Sequence, residues 1–227
     1  MRAKTRPYDV ECNGLLLKVL PNVYAPTYFT DSLWFAEQLP EIVKSGSLLE
    51  IGTGTGIIAI SCATMGARVV CTDVNPIAVQ NARINVRRYR LSVSVRKGNL
   101  YEPLRPKERF DFIFWAHPFN NWKSEVTDLL LKSGRDHAYQ GLRGYIAGAY
   151  RHLRAGGKLL LGTGDSADLL TLAAIAAEFG YALDPLREVS MQLELGRKAM
   201  IRYFIYHLRE LPAVSTRPSI AHSRLHI

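Results

Sequence analysis

Leu48-Leu49-Glu50-Ile51-Gly52-Thr53-Gly54-Thr55-Gly56-Ile57-Ile58 carries a buried strand into a helix through three alternating glycines. Ser47–Ile51 is a short apolar run that reads as a strand, and Ile57–Met65 begins a helix at once. Glycine tolerates positive φ and lets a backbone come close to a ligand. Nucleotide-binding folds share such a turn, but two details point away from a dinucleotide. The spacing is Gly-x-Gly-x-Gly rather than Gly-x-Gly-x-x-Gly, and Glu50 stands just before the turn. A carboxylate there opposes a pyrophosphate and suits a ligand with an ammonium and a sulfonium.

Outward from this stretch, strands and helices alternate. Arg68–Thr72 is expected as a second strand, and Pro76–Tyr89 as a helix with proline in its first turn. Ser92–Arg96 and Phe110–Trp115 read as strands, and His137–Arg154 as a helix stopped by Gly156-Gly157. Lys158–Gly162 is a strand, and Ala167–Phe179 a helix stopped by Gly180. Glu188–Leu195 and Ala199–Leu208 flank a Gly196 turn, so they are expected antiparallel; a parallel pair needs a long crossover. Repeated βα units predict an α/β fold with a mostly parallel sheet, helices on both faces and ligands beyond the strand C-termini. Upstream, Glu11–Leu20 reads as a hairpin around Asn13-Gly14, and Asp31–Leu39 as a helix N-capped by Thr30 or Asp31. The expected division is a cap over 1–40, the main domain over 41–211 and a polar, basic tail over 212–227.

With 227 residues, 48% of them hydrophobic, the chain can bury one sizeable core. No apolar stretch approaches the ~20 residues of a membrane helix, and no apolar block follows Met1-Arg2-Ala3-Lys4. A cytoplasmic protein with no membrane partner is expected. Cys12, Cys62 and Cys71 form no Cys-x-x-Cys pair, which argues against a disulfide scaffold, and Cys62 and Cys71 read as core residues. His117, His137 and His152 lack metal-ligand spacing, so no metal is expected. The formal charge of +9 suits nucleic acid, an acidic protein surface and an anionic small molecule alike.

The second strand ends in Cys71-Thr72-Asp73-Val74-Asn75-Pro76, and an acid at that place can accept from both ribose hydroxyls. In Lys97-Gly98-Asn99-Leu100, the Asn99 carbonyl can read an adenine amino group. These segments, with Gly-Asn-Leu-Tyr-Glu-Pro-Leu at 98–104, resemble small-domain class I methyltransferases, and within them the release-factor glutamine methyltransferases. The similarity runs from about Val23 to Gly164; Val23-Tyr24-Ala25-Pro26 with Thr30-Asp31 resembles the segment that family lays over its cofactor. The resemblance implies a Rossmann-like seven-stranded sheet with a C-terminal antiparallel strand, and S-adenosyl-L-methionine as cofactor. Glu50 and Gly52 would face its methionine end, Asp73 the ribose and Asn99 the adenine, where the family usually has aspartate. Thr30, Thr53, Gly54, Gly56, Val74, Leu100 and Ala116 complete the expected cofactor shell.

That family's catalytic signature, Asn-Pro-Pro-Tyr or -Phe, follows its fourth strand and holds a planar nitrogen beside the methyl group. Here Ala116-His117-Pro118-Phe119-Asn120 stands in that register, and Ala116 has no side chain for a hydrogen bond. Two replacements are expected: His117 as general base, and Asn120 supplying the lost amide. Phe119 would form an apolar wall. Asn121–Asp136, with Trp122, Lys123 and Arg135, reads as a specificity loop. Arg83, Arg87 and Arg90 share one helix face near Arg88, Arg96 and Lys97, either as a solvated face or as a phosphate-tracking patch. The acceptor expected first is a small molecule, its attacking atom nitrogen, oxygen or carbon. A protein glutamine or RNA comes second, and a cofactor-binding protein without catalysis third.

Overall fold

The computed structural model describes residues 5–27, 30–125, 127–194 and 198–212; the expected Gly196 turn and residues 213–227 of the tail lie outside them. The hairpin β1 (Tyr8–Cys12) and β2 (Leu15–Val19) leads to α1 (Asp31–Val43), β3 (Ser47–Ile51), α2 (Ile57–Thr64) and β4 (Arg68–Asp73). Then come α3 (Pro76–Arg88), β5 (Ser94–Lys97), β6 (Phe110–Ala116), β7 (Asn120–Trp122), α4 (Leu129–Lys132) and β8 (Arg135–His137). The chain closes with α5 (Gln140–Ala149), β9 (Leu153–Gly164), α6 (Leu169–Glu178), β10 (Tyr181–Glu194) and β11 (Lys198–Glu210). Seven strands form one sheet in the order β10-β11-β9-β6-β3-β4-β5, and β7 and β8 pair separately. β3, β4, β5, β6 and β9 run parallel, whereas β11 is antiparallel to both its neighbours. From β3 the chain winds outward to β5, then returns to β6 on the other side of β3. That reversal opens a crevice beyond the C-terminal ends of β3 and β6, where such sheets hold ligands.

Alternation along the strands sorts the core into two layers. Leu48, Phe114 and Leu160 face α1 and α2 with Trp34, Phe35 and Ile60, while Leu49, Ile113 and Leu159 face α5 and α6 with Leu142, Tyr145 and Ile175. Burial on both faces is why β3 reads as a largely apolar run, with Ser47 and Glu50 buried in it. The hairpin is tied to α3 by two fully buried asparagines. The Lys18 N–H donates to Asn85 Oδ1 (2.8 Å) and the Leu20 N–H to Asn81 Oδ1 (2.7 Å). Asn85 Nδ2 also reaches the Thr55 carbonyl in the glycine turn, at 2.9 Å.

Several boundaries differ from expectation; β9 starts at Leu153 and β10 at Tyr181, ahead of the expected Lys158 and Glu188. The hairpin begins at Tyr8, ahead of Glu11, with Asn13 and Gly14 both at positive φ as a two-residue turn requires. α1 continues through Pro40 to Val43, because Leu39, Pro40 and Val43 are buried and hold its last turn. α5 ends at Ala149, not Arg154, and Gly156-Gly157 lie within β9 instead of stopping a helix. A Cβ on Gly157 would stand 3.1 Å from the Phe110 and Asp111 carbonyls, so glycine is needed where β9 shifts register along β6. α5 also approaches its neighbours through a face of glycines. Added Cβ atoms at Gly141, Gly144 and Gly148 would lie 3.0 Å from Trp115, 2.9 Å from Leu100 and 2.5 Å from Tyr101.

Candidate active site

The glycine turn is shaped by what surrounds it. Gly52 has φ +69°, and a Cβ there would stand 3.1 Å from Trp115 Nε1. Gly54 has φ +57°, and its nearest neighbour would be the Tyr24 carbonyl at 3.9 Å, so the turn is open beneath the 23–26 segment. Glu50 is buried and accepts from Thr53 Oγ1 at 2.8 Å. Burial lifts its pKa to about 8, with the negative charge of Asp73 adding to the rise. Asp73, at the end of β4, accepts from the Gly54 N–H at 2.9 Å and the Asn75 N–H at 2.8 Å. Burial raises its pKa, and these backbone bonds oppose the rise. Each carboxylate oxygen keeps a second lone pair for a ligand. Val74 is exposed beside it, and Asn99 is exposed beyond β5 with its N–H bonded to Glu102 Oε2 at 3.0 Å. Leu100 adopts positive φ and turns its side chain toward α5.

The reacting corner departs further from expectation. His117 does not stand at the mouth: it is 1% exposed, with Nε2 at 3.0 Å from Thr163 Oγ1 and no partner at hydrogen-bond geometry for Nδ1. Burial lowers its pKa to about 3, only partly offset by the Pro118 carbonyl. An imidazole held neutral and enclosed is a poor general base. Asn120 is exposed, but its Nδ2 donates to the Gly134 carbonyl at 2.9 Å, which ties the amide to the β7–β8 connection rather than to the corner. Phe119 is half-buried, its ring 5.9 Å from His117 and 6.5 Å from Tyr203, as an apolar wall requires. Thr30 gives α1 no side-chain cap; its Oγ1 pairs with the Tyr203 hydroxyl at 2.9 Å. Beside it, the buried Asp31 lies 3.3 Å from the Tyr24 hydroxyl, and burial lifts its pKa to about 6.

The profile of the family described as methyltransferase small domain matches residues 15–182. The chain belongs to that family of S-adenosylmethionine-dependent methyltransferases. It is 30% identical over 187 residues to the release factor glutamine methyltransferase of Geobacter sulfurreducens, covering 74% of this chain and 65% of the relative. A putative protein N5-glutamine methyltransferase of Methanocaldococcus jannaschii is 38% identical over 111 residues, 48% of this chain and 54% of the relative. The chain thus spans between half and two thirds of the length of these curated relatives. Among solved structures, a 16S rRNA N2 G1207 methyltransferase from T. thermophilus, in complex with AdoMet and guanosine, superposes with a TM-score of 0.61. Its identity is 20% over 90% of this chain and 50% of that one, a likeness of fold.

Several residues of this methyltransferase corner were not read from the sequence. Tyr139 caps α5 at positive φ, with its hydroxyl donating to the Phe119 carbonyl at 3.1 Å. Asp136 accepts from the Gly141 and Leu142 N–H groups, both at 2.9 Å. Asp-x-x-x-x-Gly ahead of an amphipathic run was the available signal for that cap. Thr163 and Tyr203 had none, since each meets a partner distant in sequence, 46 and 173 residues away. The basic residues on and near α3 divide: Arg87, Arg90 and Lys97 are exposed, and three others hold partners. Arg83 donates to the Val95 carbonyl, Arg88 pairs with Asp9 at 3.0 Å, and Arg96 with Glu108 at 2.7 Å. Among the described residues no helix is long and apolar enough to cross a membrane, and no three His, Cys, Asp or Glu are grouped to hold a metal.

Proposed function

We propose that this chain transfers a methyl group from S-adenosylmethionine to a small molecule with a planar, apolar body. The observation that carries the reading is the reacting corner, where Ala116 stands in place of an amide-holding asparagine and the aromatic rings of His117, Phe119, Tyr139 and Tyr203 stand close together. The cofactor is supported by the open glycine cradle at Gly54 and by two buried acids with spare lone pairs. When bound, it offers a methyl on a sulfonium: the bond from acceptor to carbon forms as the carbon–sulfur bond breaks, the pair going to sulfur.

The chain's own residues bind, orient and exclude water. Asp73 accepts from the ribose hydroxyls, and Asn99 with Leu100 borders the adenine. Asp73 sets a negative field that favours a ligand with an ammonium and a sulfonium, and Glu50, whose pKa burial lifts to about 8, gains its charge beside such a cation. Gly52, Thr53, Gly54 and Gly56 bring backbone to the methionine end, and Thr30 and Val74 flank the site. The aromatic wall positions a flat acceptor for in-line attack, which is where much of the rate enhancement arises. Any proton on the attacking atom leaves to a group other than the neutral His117.

A protein glutamine or RNA acceptor is the second reading, favoured by the activities named for the relatives and by the +9 charge. Calorimetric titration with S-adenosylmethionine and S-adenosylhomocysteine tests the cofactor site. Micromolar binding weakened roughly tenfold or more in Asp73→Ala, about one charge-assisted hydrogen bond, is expected. No binding by the wild type would overturn the reading. Binding without turnover on aromatic acceptors, release-factor peptides or RNA would leave a cofactor-binding protein.

A further inference from the structure

The ribbon of β7 and β8 brings together side chains that are far apart in sequence. Arg135 Cζ lies 3.9 Å over the Trp122 ring, and Arg135 pairs in register with Asn120. Along β8 the pattern is half-buried, buried, half-buried: Asp136 turns inward to cap α5, while Arg135 and His137 turn the other way. Asp128 is likewise committed, its Oδ1 accepting from the Leu130 and Leu131 N–H groups at 2.8 and 2.9 Å. Among the described residues Arg135 takes part in none of the ion pairs. A guanidinium on an aromatic face gains from the ring without spending its N–H donors, which stay free for a bidentate anion. Trp122 remains 38% exposed beneath it.

This face adjoins the reacting corner. The ribbon starts one residue after Phe119 and ends two before Tyr139, and the Tyr139 hydroxyl locks the Phe119 carbonyl. From Arg135 to Phe119 is one inter-strand step of about 5 Å and one residue of ~3.3 Å along the strand. The Arg135 guanidinium itself lies over Trp122, two residues further along the ribbon from Asn120.

We propose that Trp122 and Arg135 form the acceptor-recognition platform, taking the anionic group of a small planar substrate, a carboxylate or a phosphate, on Arg135 with its ring against Trp122. The assignment rests on the methyltransferase reading for its role and deepens it by naming the acceptor class. The +9 charge favours an anionic ligand generally; Arg135 gives that preference a place beside the corner.

The test uses 8-anilinonaphthalene-1-sulfonate, a fluorescent planar anion, and N-phenyl-1-naphthylamine, its neutral counterpart, on the full chain. Arg135→Gln should weaken the anion about tenfold and the neutral probe less than twofold, with Arg135→Lys recovering part of the loss and circular dichroism unchanged. Asp73→Ala should alter neither probe, which separates failure of this platform from failure of the cofactor site. Equal effects of Arg135→Gln on both probes, no effect on either, or no anion binding would overturn the proposal. Competition then names the anion: displacement by 2-naphthoate at lower concentration assigns a carboxylate, and by 1-naphthyl phosphate a phosphate. Displacement by neither, or by single-stranded RNA far below both, overturns the small-molecule assignment.

Discussion

The cofactor side and the acceptor side of the crevice are held by different kinds of contact. Beyond β3 and β4, the partners are close in sequence: Asn75 to Asp73 spans 2 residues, Thr53 to Glu50 spans 3 and Gly54 to Asp73 spans 19, and each bond uses a backbone N–H or a neighbouring hydroxyl. Around β6, His117 meets Thr163 across 46 residues and Thr30 meets Tyr203 across 173. The first side is written into one turn and the strand beside it, whereas the second exists only once the sheet has closed. A change on the first side should therefore act through backbone placement and cofactor affinity, and a change on the second through side-chain packing and acceptor choice.

Gly52→Ala should break that division most strongly, because the new methyl meets Trp115 from the reacting strand. Left-handed backbone costs about 1–2 kcal/mol for alanine, and pushing a buried side chain aside costs about 1–3 more. Cofactor affinity should fall at least thirtyfold by calorimetry; a loss under threefold would show that the two sides are not in contact there. Gly148→Ala comes next. Overpacking against Tyr101 costs about 1–3 kcal/mol, and the helical preference of alanine returns about 1. The net is a destabilisation of about 0–2 kcal/mol in urea unfolding, and a gain in stability would show that Tyr101 yields freely.

Acidity should separate the two sides in a third way. The folded pKa of Glu50 is raised from 4.5 to about 8, so its contribution to stability is fully present below 4.5 and is lost as pH rises through 8. His117 runs the other way: with a folded pKa lowered from 6.5 to about 3, its contribution is present above 6.5 and is lost as pH falls toward 3. Urea midpoints should decline from about pH 6.5 to 8 in the wild type, and Glu50→Gln should flatten that limb while leaving the acid limb intact. A variant with the same alkaline slope would assign it to other groups. The smallest effect is expected from Ala116→Asn: cofactor affinity within about twofold of the wild type, with acceptor turnover changed. A large loss of cofactor affinity would merge the two sides.

Legibility followed the same divide. β3 matched its expected limits, and α2, α3 and β6 came within one residue at each end, because glycine turns, an N1 proline and apolar runs are local signals. The α5 end was misplaced because Gly156-Gly157 has the same appearance at a helix stop and at a register shift; only β6 alongside distinguishes them. His117 in the Ala-His-Pro-Phe register pointed to the corner, but its burial depends on Thr163 and on neighbouring rings from other elements. Trp122 and Arg135 were both within the expected specificity loop, and their pairing needed the ribbon that a mixed, aperiodic segment does not announce.

The glycine face of α5 touches Trp115 on the strand leading to Ala116, and Leu100 and Tyr101 just beyond Asn99. One helix therefore acts as a gauge between the loop after Asn99 and β6, set by bare backbone rather than by adjustable side chains. Thickening it by a single methyl at either end would shift that loop against the strand. The spacing between that loop and β6 is thus set by three missing side chains.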